Sequence, residues 1–582
     1  MPFRVLIFIK SVLFFLALGY QSAHSAPETI FINAQIFTAD PDSPTAQAIA
    51  VENGRILAIG EDRKILEYKG PETRVVDLQG QHMLPGLIDA HVHAIIGALA
   101  EISPNLEDEK FDNTVLSQKV EEWYKQSDIN ANEPFVIFGT NPDTWSNPEE
   151  LRKVFDAGIW QDKPLVLMGS DLHTAWANRA MLDKVGIDTA YVGRLTPDEM
   201  HLVQSDKHNE PTGVLIDAGV DLVTTHMPSP DDETLLNAAR YAIKKFNEYG
   251  ITAWMDPAAN AGPGEALFSR APASSGTGIL PAYRFLSKNG ELSAHVAALL
   301  VASPLSDASD LDHLDTIRMQ FADVDNLSLP GIKIFADGVL EYPAQSAAIL
   351  GKYKNTGKQG EMLLTRPGLQ TLVDAADERN WLVHIHALGD RAVRESLDAF
   401  EAVRKKRDSG VSHSITHLQL VNKEDYSRLA PLNIIAVMQL HWAEMDNYLI
   451  DLVKPYISEV DFQGQYPARS LQNHNTIIAG ASDWPISTAN PWEAMHHGMT
   501  RQGPDGGLNP AEKLDVVTML LAYTRHAAQA IGLADKIGTL SVGKQADFII
   551  VDRDVLNVEV DAIKDTKVLE TYFAGKKVYE AN

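Results

Sequence analysis

The sequence predicts an α/β protein: a (β/α)8 TIM-like barrel, a small β-sandwich domain formed from both termini, and an insertion after the first barrel strand. Three observations predict it. Eight short apolar runs of β type lie along the middle of the chain, with amphipathic helical stretches between several of them. The two ends share another texture, short strands punctuated by turn dipeptides such as Asn-Gly and Gln-Gly. Residues 101–249, between the first two candidate barrel strands, follow neither pattern.

Taken in order, residues 1–26 come first. "MPFRVLIFIK" carries Arg4 and Lys10, "SVLFFLALGY" is apolar, and "QSAHSAPE" supplies small residues. This is the anatomy of a signal peptide cleaved after Ser25 or Ala26, and it predicts an exported protein, periplasmic or secreted. An apolar run interrupted by Lys10 is short for a membrane span, so no stable span is expected after cleavage. Residues 27–83 ("TIFINAQIFTAD", "AQAIAVENGRILAIG", "TRVVDLQGQHML") and 532–582 ("GTLSVGKQADFIIVDRD", "VLETYFAGKKVYE") form the two parts of the sandwich domain. The barrel takes residues 84–531, with the insertion at about 101–249 placed as a lid or substrate wall. Its strand candidates are "LIDAHVH", "GITAWMDP", "LPAYRFL", "LPGIKIFADG", "WLVHIHALGD", "SHSITHLQL", "IIAVMQLHWAE" and "TIIAGASDWP".

Bulk composition narrows the function. A net charge of −28 argues against a general nucleic-acid binder, which needs a basic face to displace phosphate counterions. With no cysteine in 582 residues there is neither disulfide nor thiolate, so any metal must be held by His, Asp, Glu or Lys.

The polar residues of the strands are where such a site would form, because barrels of this kind place their chemistry at the carboxyl ends of the strands. In an extended chain Asp89, His91 and His93 would project to one face. A single His-x-His is weak evidence by itself. Yet "GIKIFADG" carries Lys333, "WLVHIHALGD" carries His384 and His386, and "SHSITHLQL" carries His413 and His417. "IIAVMQLHWAE" ends at His441 and "TIIAGASDWP" at Asp483. A run of strand ends converging on His, Lys and Asp is hard to assign to packing and suits a borderline metal such as zinc. Lys333 is open to two arrangements: an inward ammonium paired with Asp337 or Asp483, or a lysine carboxylated by CO2 that bridges two metals.

"GLIDAHVH", "KIFADG", "HIHALGDRAV", "THLQLV" and "GASDWP", in that order, resemble the amidohydrolase superfamily, and more closely its amidohydrolase-3 branch, which includes N-substituted formamide deformylases. "SDLHTAWANRAML", "EPTGVLIDAG" and the closing "GTLSVGKQADFIIVDRD" extend the resemblance over nearly the whole mature chain. It implies a metallohydrolase barrel in which His91, His93, Lys333, His386, His417 and Asp483 hold a divalent metal. The ion is expected to be zinc, one ion, or two if Lys333 is carboxylated. It also implies hydrolysis of a non-peptide C–N bond, amide or formamide-like, in a small-molecule substrate by a metal-activated hydroxide. Asp483 would shuttle the proton, and His173 of the insertion would stabilise the oxyanion. Thr416 stands where the branch usually has an acidic residue, and the texture around His441 also departs from it. His384 and Asp89 are expected to support the site rather than bind metal. An ester, lactone or phosphoester hydrolase using the same site, and a noncatalytic exported binding or regulatory protein, are the competing functions.

Overall fold

In the computed structural model residues 26–581 are described, apart from 131, 198, 273 and 275. The expected signal peptide falls almost wholly outside them. Among the described residues no helix is long and apolar enough to cross a membrane.

The centre is an eight-stranded sheet whose neighbours all run parallel. In chain order its strands are β1 (Leu87–Asp89), β2 (Ile251–Asp256), β3 (His295–Val301), β4 (Leu327–Phe335), β5 (Leu382–Ala387), β6 (His413–His417), β7 (Ile434–Met438) and β8 (Ile478–Gly480). The backbone N–H of Ala90 donates to the Gly480 carbonyl at 3.0 Å, which draws the last strand to the first and gives the sheet its TIM-like closure. Helices follow the strands for an ordinary reason. In Asp390–Arg404, for example, the buried Ala392, Val393, Ser396, Leu397, Phe400 and Val403 recur at helical spacing and present one apolar stripe to the sheet.

Two strand expectations need correction. "LPAYRFL" is the helix Leu280–Lys288, not a strand: Pro281 sits in its first turn, and the buried Leu280, Tyr283 and Leu286 have a period of three. The third strand is instead "HVAALLV", a continuous run buried on both faces, as parallel strands are. The first strand is also shorter than expected. It ends at Asp89, so His91 and His93 stand in the turn beyond it rather than alternating along it.

The barrel interior is graded. Its lower part is small and apolar, with Ile88, Ala253, Ala297, Val437 and Ala479 packed against the helix Arg525–Ala530 through Ala527 and Ala528. Its upper part is polar, with Lys333, His384, His386, Ser414 and Thr416 all buried. The insertion carries its own five-stranded sheet, in the order Val203–Ser205, Pro211–Ile216, Thr174–Ala177, Leu165–Gly169, Phe135–Thr140.

Strands from both ends of the chain make the sandwich. In its six-stranded sheet His82–Pro85 lies antiparallel to Phe548–Val551, and in the four-stranded sheet Thr29–Ile32 is central. Phe31 packs edge-on against Phe548 and Tyr572, at ring distances of 5.1 and 5.2 Å, so the core between the sheets needs side chains from both termini.

Candidate metal centre

His91, His93 and Asp483 meet at the mouth of the barrel. The Nε2 atoms of His91 and His93 stand 3.2 and 3.4 Å from the same oxygen, Asp483 Oδ1. That oxygen is buried and has no hydrogen-bond partner among the described residues. A buried carboxylate oxygen facing two imidazole nitrogens without a hydrogen bond is costly by itself, and a cation shared by the three resolves it. The spacing is right as well, since donors about 2.0–2.2 Å from one tetrahedral ion stand roughly 3.3–3.6 Å apart. The residues present therefore fit a divalent metal.

The local backbone explains the convergence. Asp483 lies in left-handed backbone (φ 56°), its N–H donating to the His91 carbonyl at 2.9 Å, so the loop after β8 is laced to the loop after β1. Asp89 ties the same loops from beneath: its Oδ1 accepts from the N–H groups of His91 and Ser482, both at 3.1 Å. Burial pushes the Asp89 carboxyl up to about 7, which suits a buried support rather than a ligand. Gly97, on the helix after β1, leaves room for Trp484, because a Cβ there would stand 2.7 Å from the indole. Burial also opposes the charge on Asp483, but the nearby His93, His417 and Lys333 outweigh it and hold this carboxylate below its ordinary range.

The second imidazole pair stands beside the first. The His386 and His417 rings are 4.6 Å apart, and His417 Nδ1 lies 3.8 Å from Asp483 Oδ2. His417 ends β6 with φ 77°, a conformation costing a non-glycine residue on the order of 1–2 kcal/mol. Gln439 fixes this ring, its Oε1 accepting from Nδ1 at 3.1 Å while its amide donates to Thr416 Oγ1 at 3.2 Å. Thr416 thus fills the departure from the branch pattern as an anchor for the residue that orients His417. His386 Nε2 lies 3.1 Å from the Gly338 carbonyl.

Lys333 is buried in the same cavity, and no carboxylate among the described residues lies within 4.0 Å of it. The expected alternative pairing with Asp337 or Asp483 is not formed. Asp337 instead accepts the N–H groups of Ala348, Leu388 and Gly389, and Lys333 Nζ sits 4.7 Å from the centre of the Phe335 ring. Burial pulls the ammonium down to about 7, leaving a large share of neutral amine.

Supporting groups fall into two kinds. His384 Nε2 is 2.7 Å from His91 Nδ1, and its Nδ1 is 2.7 Å from Ser414 Oγ, so a buried relay orients His91. The parallel register pairs His384 with Ser414, which is the signal that could have located the relay. His413, at the start of β6, bonds Asp377 at 2.9 Å on the far side of the strand and belongs to the core. His441 lies beyond β7 in the short turn Leu440–Trp442, away from the His91–Asp483 group.

The insertion sends His173 into the cavity, its ring 5.4 Å from that of His386. Its Nδ1 donates to Asp217 Oδ1 at 2.7 Å. Burial works against a charged His173, but the hydrogen bond and charge of Asp217 prevail, and its pKa is raised. Sequence reasoning missed Asp217, although it lies in the quoted "GVLIDAG". It missed also the carboxyls of Asp108, Asp171 and Glu341, which sit on loops around the same cavity of about 420 Å³. Much of the remaining wall is apolar, including Leu99, Phe138, Met168, Phe268 and Phe335.

The amidohydrolase family model matches residues 74–579. Protein LONG AFTER FAR-RED 3 of Arabidopsis thaliana is 30% identical over 574 residues, covering 95% of this chain and 91% of that protein. N-substituted formamide deformylase of Arthrobacter pascens is 25% identical, with 95% and 98% covered. Among solved structures, an uncharacterized metal-dependent hydrolase from Pyrococcus horikoshii has the same fold, with a TM-score of 0.67 at 23% identity and 92% and 99% covered.

Proposed function

This chain belongs to the amidohydrolase family, and on that premise we propose that it is an exported, metal-dependent hydrolase of a non-peptide C–N bond in a small amide or formamide-like substrate. The observation that carries the reading is the convergence of His91 Nε2 and His93 Nε2 on the unpartnered Asp483 Oδ1, at a cavity large enough for a small molecule. The formamide-like class is supported by the likeness to the Arthrobacter pascens deformylase, and export by Arg4, Lys10 and the apolar run around them.

His91, His93 and Asp483 would hold one zinc ion, and Lys333 in carboxylated form, His386 and His417 a second. When bound, the metal supplies a Lewis acid and makes water acidic enough to attack near neutral pH. The chain's own groups do the rest. Asp483, kept ionised by its surroundings, takes the proton of the attacking water and delivers it to the leaving nitrogen. His173, whose Nδ1–H is committed to Asp217, can donate to the developing oxyanion through Nε2 only when doubly protonated, and the raised pKa favours that form. The apolar wall receives the substituent and keeps bulk water away.

Removal of metal with a chelator should abolish amide hydrolysis, and added zinc should restore it. Assay of N-substituted formamides and acylamines against matched esters and phosphoesters then tests the bond class. Turnover of the esters or phosphoesters alone would overturn the C–N assignment. A metal-restored protein inert to all of them would overturn the enzyme.

The His173–Asp217 pair predicts a pH effect with a definite sign. A raised pKa keeps the donor charged to higher pH, so activity should fall on the alkaline side as His173 deprotonates. Asp217→Asn removes the raising charge and should move that limb to lower pH. An alkaline limb unmoved in Asp217→Asn would show that His173 does not set it.

A further inference from the structure

A second group of ligand-type side chains stands in the cavity wall, apart from the first. His441 and Glu444 come from the turn after β7, and both line the cavity. His497 comes from the helix Pro491–Thr500. Each of the three offers one donor atom, and these atoms all lie within 4.8 Å of one another. His497 Nδ1 is 3.4 Å from Glu444 Oε2, the edge length that two ligands of one tetrahedral ion would have. The same Nδ1 is buried and has no hydrogen-bond partner among the described residues. The His441 and His497 ring centres are 4.8 Å apart. Glu493 lies one helical turn before His497, and its Oε2 is 3.8 Å from His441 Nε2, with its other oxygen held by Asn490 at 2.9 Å.

We propose that His441, Glu444 and His497 form a zinc-type divalent-cation site distinct from the His91–His93–Asp483 centre, with Glu493 as the adjoining carboxylate. Two imidazoles and one carboxylate are a sufficient protein ligand set for zinc, leaving a further position for Glu493 or a small molecule. Partial exposure of all three side chains, between 14 and 21%, gives an ion a way in. The position has a structural consequence for the first centre. His441 is flanked by Gln439, which bonds His417, and by Trp442, whose ring stacks on His417 at 5.7 Å and 11°. An ion joining His441 to His497 would clamp this turn to the helix and hold Trp442 against the His417 ring.

The inference does not depend on the reaction proposed above, and its test reads metal rather than turnover. The full chain is loaded with zinc, freed of unbound ion, and its zinc per chain is determined by elemental mass spectrometry. Glu444→Gln and His497→Gln should each lose about one equivalent. The loss should add to that of a His91→Gln/His93→Gln variant, since the two sites share no ligand. Diffraction from wild-type crystals at the zinc edge should show an anomalous peak among His441, Glu444 and His497. Wild-type crystals lacking that peak overturn the site even if a variant does not fold. So does unchanged zinc content in folded Glu444→Gln and His497→Gln, which would leave two ordinary histidine–carboxylate pairs.

Discussion

Asp483→Asn should retain bound metal yet lose about 10²–10⁴-fold in kcat, the range that a positioned general acid–base group contributes. The substitution preserves shape. Its carbonyl oxygen can still face His91 and His93, which remain to bind the ion, but an amide accepts no proton from water and has none to give a leaving nitrogen. Metal analysis beside steady-state kinetics separates the roles. Loss of metal in proportion to loss of rate would make Asp483 a ligand and no more. Full activity would remove it from the mechanism.

Lys333→Met should act in opposite directions on the metal-free and metal-loaded protein. Without metal or CO2, Lys333 is a buried amine with no carboxylate among the described residues within 4.0 Å, against the ring of Phe335. Depression of its pKa from 10.5 to about 7 corresponds to a bias against the charged form of roughly 5 kcal/mol. The unfolded chain holds this proton up to about 10, so the metal-free wild type should gain stability as pH rises from 7 toward 10. Lys333→Met deletes that gain and should melt higher than wild type at pH 7, since a methionine of similar length fills the site without a charge. In the zinc-loaded protein the same change should lower bound metal by about one ion and take most of the rate with it, because the carboxylated lysine that would help hold that ion cannot form. Thermal melts with and without metal, with zinc content, check both halves. A metal-free variant that melts lower, with unchanged zinc content, would assign Lys333 to packing.

Much of the fold and of the site was legible because barrel chemistry is written at strand ends. Lys333, His384 and His386 are polar residues inside runs otherwise apolar, and a parallel strand buried on both faces tolerates them only where they serve each other or an ion. His91 and His93 were found by their spacing, although the strand stops short of them and the loop lacing at Asp89 and Asp483 does the aligning. "HVAALLV" was overlooked because it holds no polar group beyond His295, while "LPAYRFL" has a strand's composition with a helix's period. The Asp217 partner of His173 and the Gln439 link to His417 were hidden for another reason. Each is a contact between distant loops, and single-chain periodicity carries no record of which loops meet.

The pairing of His82–Pro85 with Phe548–Val551 bears on how the protein is made. Synthesis runs from one end to the other, and the two strands cannot pair until the segment Phe548–Val551 has been added. Asp89 and Ser482, 393 positions apart, face the same delay. Loop closure over such separations is slow and gains nothing until the far segment arrives. The candidate ligands His91, His93 and Asp483 should therefore come into register late, after the body of the barrel has collapsed. A chain shortened before Phe548 would lose the strand that zips the two ends together, leaving His82–Pro85 without its antiparallel partner.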